Sequence, residues 1–196
     1  MIKNSANVYP HRLKFSQSDP CCETNRLILG LGGNITGLWG SPKVTLLRTF
    51  EALRQAGLEP LARSDLFRTK PVGGGRQPDY LNAVVLAKAS LAPAALLRRL
   101  KGLERQAGRR PGRRLGPRPL DIDILDYGGR RLGWPGRGRR RAGLVLPHPE
   151  AHRRAFVLVP LVQVAPHWRH PVLGVKACTL LARLGGTARH QVVANP

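Results

Sequence analysis

Acidic residues are scarce in this chain. Of its 196 residues only 11 are Asp or Glu, against 33 Lys or Arg, giving a formal charge of +22. Aromatic residues are few, at 5%. No apolar run reaches the roughly 18 residues of a membrane span, so no membrane helix is expected. The first 25 residues are polar and mixed and lack the apolar core of a secretory signal. They are expected to form a disordered extension, with a divergent transit peptide as the alternative. The three cysteines, Cys21, Cys22 and Cys178, form no CxxC pair. That excludes a disulfide framework and points to a reducing compartment, the cytoplasm.

What is present suffices for a folded core. Hydrophobic residues make up 42% of the chain, enough for one domain, expected over 26–185 with a tail over 186–196. The excess of positive charge suggests nucleic acid first. Its distribution argues otherwise: 15 of the 33 basic residues lie between Arg98 and Arg141, in the segment that also holds Asp121 and Asp123. A polyphosphate ligand requires such a cationic pocket equally. Arg outnumbers Lys by 26 to 7, a skew that compositional bias also produces, so bulk charge carries little functional weight.

The periodicities alternate between strand and helix. Arg26–Gly32 reads as a buried strand. Ser41-Pro42 reads as an N-cap with proline at the first helical position, followed by Leu46, Leu47, Phe50 and Leu53 at helical spacing and Gly57 as the stop. Pro60–Thr69 and Tyr80–Ala89 are predicted strands, separated by a Gly/Pro-rich loop. Pro93 opens a second helix with a stripe of Leu96, Leu97, Leu100 and Leu103, closed by Gly108. Leu120–Leu125 is a fourth strand, and Gly174–Leu184 a later helix closed by Gly185. The order β-α-β-β-α-β predicts an α+β, ferredoxin-like fold: an antiparallel sheet, both helices on one face, and C-terminal additions.

In a strand, residues i and i+2 share a face. Leu120, Ile122 and Ile124 then face the core, and Asp121 and Asp123 face the other side together, their Cα atoms roughly 6.5–7 Å apart. Two carboxylates this close raise each other's pKa unless a cation sits between them. Magnesium suits such a pair, since it takes one or two protein carboxylates and completes its shell with water and phosphate. Two ions there would clamp a phosphoryl group in transfer. A bare Asp-x-Asp is also compatible with a solvated strand face. The neighbours favour the metal: Arg109, Arg110, Arg113, Arg114 and Arg118 precede the pair in a Gly/Pro-punctuated loop, and arginine forks match phosphate oxygens. Asp126 is expected to serve neither role.

Common nucleotide motifs are missing. GLGGNITG (Gly30–Gly37) is not GxGxxG, and GGGR (Gly73–Arg76) lacks the GK[ST] of a P-loop. His148 and His152 stand at i,i+4 without HExxH, so His148 reads as a hydrogen-bonder to phosphate or hydroxyl rather than as half of a zinc pair. Tyr80 and Phe156 are either core aromatics or, with Asn82, a surface for a flat heterocycle. An RNA-binding module is the rival from another class, but the strands carry no aromatic signature of one.

Six stretches in order resemble the 6-hydroxymethyl-7,8-dihydropterin pyrophosphokinase family over roughly Arg26–Pro166. They are LGLGGN (Leu29–Asn34), FRTKPVG (Phe67–Gly73), QPDYLNAVV (Gln77–Val85), LERQAGR (Leu103–Arg109), GPRPLDIDIL (Gly116–Leu125) and LPHPEAHRRAFVLVPL (Leu146–Leu161). The resemblance implies transfer of a pyrophosphoryl group from ATP to the pterin hydroxymethyl group, with release of AMP, in folate biosynthesis. It implies Asp121 and Asp123 as ligands of two magnesium ions, and Arg109 and Arg118 as catalytic arginines on the triphosphate. Thr69, Val72, Tyr80, Asn82 and Phe156 would bind pterin; Glu104, Ile124, His148 and Arg154 would lie near ATP. Loops after Thr69 and Gly108 would close over the substrates. No membrane or nucleic-acid partner is implied, and the oligomeric state stays open with a monomer expected. Three departures stand out: Leu115 replaces the family's aromatic residue before GPR, Gly33 replaces the serine of GSN, and Gly133–Arg141 is unusually basic.

Overall fold

The computed structural model of the chain describes residues 25–71, 76–113, 115–134, 143–186 and 191–195. The N-terminal extension expected over residues 1–25, all but its last residue, lies outside the described residues, as does most of the basic segment Gly133–Arg141. The elements run β1 (Arg26–Gly33), α1 (Pro42–Gln55), β2 (Glu59–Arg63), β3 (Leu66–Thr69), β4 (Tyr80–Lys88), α2 (Pro93–Gln106), β5 (Asp121–Tyr127), α3 (Ala155–Val164), α4 (Ala177–Arg183) and β6 (Val192–Asn195). The strands form one sheet in the order β5-β1-β4-β3-β6, with β2 also on β4, and the pairings are antiparallel. This is the α+β architecture expected from the element order. No described helix is long and apolar enough to cross a membrane.

Alternation along β1 divides the sheet into two faces. Leu27, Leu29 and Leu31 join Leu46, Phe50 and Leu53 of α1 and Leu96, Leu100 and Leu103 of α2 in one buried cluster. Ile28 points the other way and packs with Val84, Leu86 and Leu125 beneath Leu158 and Leu161 of α3 and Leu180 of α4. Each fully buried leucine contributes about 1.5–3 kcal/mol of transfer free energy. The first two helices thus share one face, as predicted, and the C-terminal helices cover part of the other. The caps also follow the sequence: the Ser41 hydroxyl accepts from the Val44 amide, and Gly57 and Gly108 adopt φ of 76° and 98° beyond their helices.

Two elements depart from expectation. The strand predicted over Pro60–Thr69 is broken into β2 and β3, both paired along β4. Buried Ser64 fills the break: its amide donates to the Val84 carbonyl, and its hydroxyl accepts from the Val84 amide, each at 2.9 Å. A side chain replaces a backbone carbonyl there, which lets the chain bend and sends Asp65 toward Gln163 of α3. Strand β6 falls within the segment read as a tail and pairs with β3.

On the face covered by α3 and α4, Asp126 is fully buried and accepts from the Trp168 indole N–H at 2.9 Å. His170 is fully buried beside it in sequence from Trp168. Its Nδ1 accepts from the amides of Val172 and Leu173 at 3.3 and 3.2 Å, so its proton sits on Nε2. The rings of Trp134, His152 and Trp168 surround it at centroid distances of 5.1, 5.4 and 5.7 Å. Burial, with His152 adding to it, pushes the His170 imidazole down to about 4 from an ordinary value of 6.5. Protonation of Nδ1 would break both hydrogen bonds from these amides. A depressed pKa contributes stability that is complete above the unfolded value and lost as pH falls from 6.5 to about 4. The thermal midpoint should therefore drop by several degrees across that window. The variant His170→Asn, whose Oδ1 accepts from the same amides without titrating, should show a shallower drop; equal slopes in calorimetry would remove His170 from the account.

Candidate active site

The second face of β1 becomes glycine where its first half carries Ile28. In register, Gly32 lies between Asp121 of β5 and Asn82 of β4, and Gly30 between Asp123 and Val84. A cleft opens over this bare floor, because nothing projects from β1 between the carboxylates on one side and the amide on the other. A Cβ on Gly32 would come 3.2 Å from Asn82 Oδ1, and one on Gly30 would come 3.3 Å from Leu125 Cδ2. Thr69, Tyr80, Asn82, Arg118, Asp121, Asp123, Arg154 and Phe156 all line this cleft, with Leu115 at its edge.

The acidic wall is not symmetric. Nη1 of Arg109 donates to Oδ1 of Asp121, and Nη1 of Arg118 donates to Oδ2 at 2.9 Å. Burial would raise the Asp121 carboxyl, but the guanidiniums of Arg109 and Arg118 outweigh it and hold the group below its ordinary value. Asp123 is raised instead, first by burial and then by Asp121. His148 stands beside it, with Nε2 4.0 Å from Oδ2. Because His148 Nδ1 accepts from the Glu150 amide at 3.1 Å, the neutral ring carries its proton on Nε2, toward Asp123. Burial lowers the pKa of His148, keeping it neutral near pH 7.

Opposite the acids lies an oriented amide. Asn82 Nδ2 donates to Thr69 Oγ1 at 2.8 Å, which leaves Oδ1 as the acceptor facing the Gly32 side. The Tyr80 hydroxyl donates to the Gly116 carbonyl at 3.0 Å and so ties the pocket to the arginine loop; burial raises its pKa. The Arg154 guanidinium lies 5.7 Å from the centroid of the Phe156 ring.

Two predicted residues stand behind the cleft. Ile124 is buried in the core on the α1/α2 side, as the strand alternation requires. Glu104 is buried on α2; its Oε1 accepts from the Ile122 amide at 2.8 Å and from Lys101 Nζ at 2.7 Å, and forms an ion pair with Arg109 Nη1 at 2.9 Å. It therefore fixes β5 between the two aspartates and steadies Arg109. Burial raises its pKa despite these donors. Val72 lies outside the described residues.

Asn34 was not singled out by the sequence reasoning, although it ends the LGLGGN stretch. It is buried, its Oδ1 accepts from the Arg118 amide at 2.8 Å, and its Nδ2 donates to Gln77 Oε1 at 3.2 Å and to the Pro78 carbonyl at 3.1 Å. One side chain thus clasps the segments on both sides of the cleft. A buried asparagine directly after a glycine-rich strand end was the available signal. Beside it, a Cβ on Gly33 would approach the Pro119 carbonyl oxygen to 2.4 Å, so this backbone seats Pro119 where a serine would not fit unshifted. Leu115, at the position of the missing aromatic, is half exposed and holds φ of 60°.

The donor set suits a hard divalent cation. Two carboxylates share a strand face above an open floor, and no cluster of three or more His, Cys, Asp or Glu groups occurs among the described residues. Magnesium, which keeps several waters and takes phosphate oxygens, fits such a partial shell.

Comparison with known proteins gives the family. Residues 28–166 match the family described as 7,8-dihydro-6-hydroxymethylpterin-pyrophosphokinase. The 2-amino-4-hydroxy-6-hydroxymethyldihydropteridine pyrophosphokinase of Synechocystis is 36% identical over 161 residues, covering 82% of this chain and 77% of that protein. The protein of the same name from Methylorubrum extorquens is 40% identical over 142 residues, covering 72% and 83%. Among solved structures, Plasmodium falciparum HPPK-DHPS with SDX-DHP superposes with a TM-score of 0.59 at 17% identity, over 82% of this chain and 43% of that longer one. At that identity the superposition speaks for the fold. Matched along most of its length by the family and by these relatives, the chain belongs to the 7,8-dihydro-6-hydroxymethylpterin-pyrophosphokinase family.

Proposed function

We propose that the chain transfers the terminal pyrophosphoryl group of ATP to the hydroxymethyl oxygen of 6-hydroxymethyl-7,8-dihydropterin, in folate biosynthesis. The new bond joins that oxygen to the β-phosphorus as its hydroxyl proton passes to water, the bond from the β-phosphorus to the oxygen bridging it to the α-phosphorus breaks, and AMP leaves. The observation that carries this reading is the pairing, across one glycine floor, of an Asp121/Asp123 wall with an Asn82–Thr69–Tyr80–Phe156 pocket. The family relationship supports it independently.

Asn82, its amide turned by Thr69, offers an acceptor to the N–H groups of a pterin ring, while Tyr80 and Phe156 supply flat apolar surface. Arg109 and Arg118 neutralise charge on the triphosphate, which is most of what a protein contributes to phosphoryl transfer. Asp121 and Asp123 would hold two magnesium ions, which when bound polarise the phosphoryl oxygens and withdraw charge from the leaving group. His148, neutral with its Nε2–H toward Asp123, and Arg154 complete the nucleotide side. Glu104 acts from behind by holding β5 and Arg109, and Ile124 by packing β5 onto the core. Residues 26–185, with β6 from the following segment added to the sheet, form the single catalytic domain, acting as a monomer in the cytoplasm; the exposed thiol of Cys178, free among the described residues, accords with a reducing compartment.

Three outcomes test this. Incubated with ATP, magnesium and the hydroxymethyldihydropterin, the protein should release AMP; release of ADP, or of no nucleotide product, would overturn the assignment. In the variant Asp123→Ala, turnover should fall by about a hundredfold or more with the thermal midpoint not lowered, because the lost group acts on charge developed in transfer. Retained activity would sink the metal role. Replacing Asn34 by alanine removes three hydrogen bonds across the cleft and should cost about 1–3 kcal/mol of stability. It should also lower kcat/KM for pterin about tenfold, read from steady-state kinetics.

A further inference from the structure

Both oxygens of Asp121 are taken. Arg109 donates to one and Arg118 to the other, and Arg109 shares the same Nη1 with Glu104. Asp123, two residues on and on the same face, has no hydrogen-bonded cation among the described residues and keeps 44% of its side chain exposed, against 24% for Asp121. One carboxylate of the pair is therefore closed by guanidiniums and the other is open.

The surrounding charges sharpen the difference. Glu104, Asp121 and Asp123 are matched by Lys101, Arg109 and Arg118, and Arg154 lines the cleft beside Asp123. A bare dication entering here meets no net negative charge. To reach Asp121 it must displace two guanidiniums that would then lack their anion in a partly buried setting, which is costly. A cation carried on a polyphosphate changes the exchange. Phosphate oxygens accept from arginine forks as well as a carboxylate does, so each guanidinium leaves Asp121 for a phosphate and no charge is stranded.

We propose that Arg109 and Arg118 close the divalent-cation site of the free protein, so that Asp121 accepts a metal ion only when a nucleotide polyphosphate arrives with it. The proposal rests on the pyrophosphokinase reading above. Asp123 is the ligand met first, and Asp121 is the ligand released by the exchange. Arginines that serve the phosphates in the loaded protein thus act as counter-ions for the metal ligand in the empty one.

Manganese binding, followed by the electron paramagnetic resonance of the free aquo ion, tests the exchange without turnover. In the unaltered protein, a methylene-bridged ATP analogue should tighten manganese binding by about a hundredfold or more. In Arg118→Met, manganese alone should bind about tenfold tighter than to the unaltered protein, while binding with the analogue should weaken. Arg109→Met should act in the same direction and provides a second variant should the first misfold, with near-ultraviolet circular dichroism as the fold check. Asp123→Asn should abolish manganese binding to the protein alone and, against a protein-free control for manganese held by the analogue itself, leave no added binding with it. The proposal is overturned if the unaltered protein binds manganese equally well alone, if both arginine variants leave or weaken the affinity for manganese alone, or if Asp123→Asn retains it. A protein without pyrophosphokinase activity would be recognised separately, by the lack of AMP in the turnover assay.

Discussion

Each oxygen of the Asp121 carboxylate is held by a different arginine, and the segments around the cleft are ordered by that contact. Arg109 follows the end of α2, and Arg118 precedes β5, so the pair of ion contacts brings both ends of the intervening basic loop to one point on the sheet. Glu104 extends the contact backward, joining Arg109 and Lys101 to the amide of Ile122. In a chain so poor in acids, three carboxylates gather in one cluster, where Lys101, Arg109 and Arg118 offset them. An exposed ion pair contributes little. This one is partly buried and networked, which gives it geometry as well as charge.

The second constraint is the absence of side chains on one face of β1. Leucine alternates first with isoleucine and then with glycine, so a single strand anchors the core along its length and clears the cleft over its second half. Asn34, just beyond, converts that open end into a joint between the segments carrying Gln77 and Arg118. Function thus depends on what β1 omits as much as on what β5 presents.

Local patterns made much of this legible in advance. The i, i+2 spacing of Asp121 and Asp123 among Leu120, Ile122 and Ile124 fixed their shared face, and Ser41-Pro42, Gly57 and Gly108 marked helix ends by mechanisms confined to a few residues. Contacts between distant segments were not legible. The clasp of Asn34 on Arg118 spans 84 positions, and the bond of the Val84 amide to Ser64 that breaks a predicted strand spans 20. Nor does helical spacing tell that Glu104 turns inward to a strand amide rather than outward to solvent. Strand β6 pairs with β3 across most of the chain, with no pattern of its own beyond two valines.

Among the described residues strand β5 ends the sheet, and its outer margin is a row of peptide groups with no strand to meet. Glu104 accepts from the outward amide of Ile122, and the amide of His148 donates to the outward carbonyl of Leu125. Free sheet edges template pairing between chains and invite aggregation, and natural proteins blunt them with charge or cover. Here the carboxylate that pairs with Arg109 also occupies the edge. The strand that borders the open cleft on its face is shut to other chains along its rim.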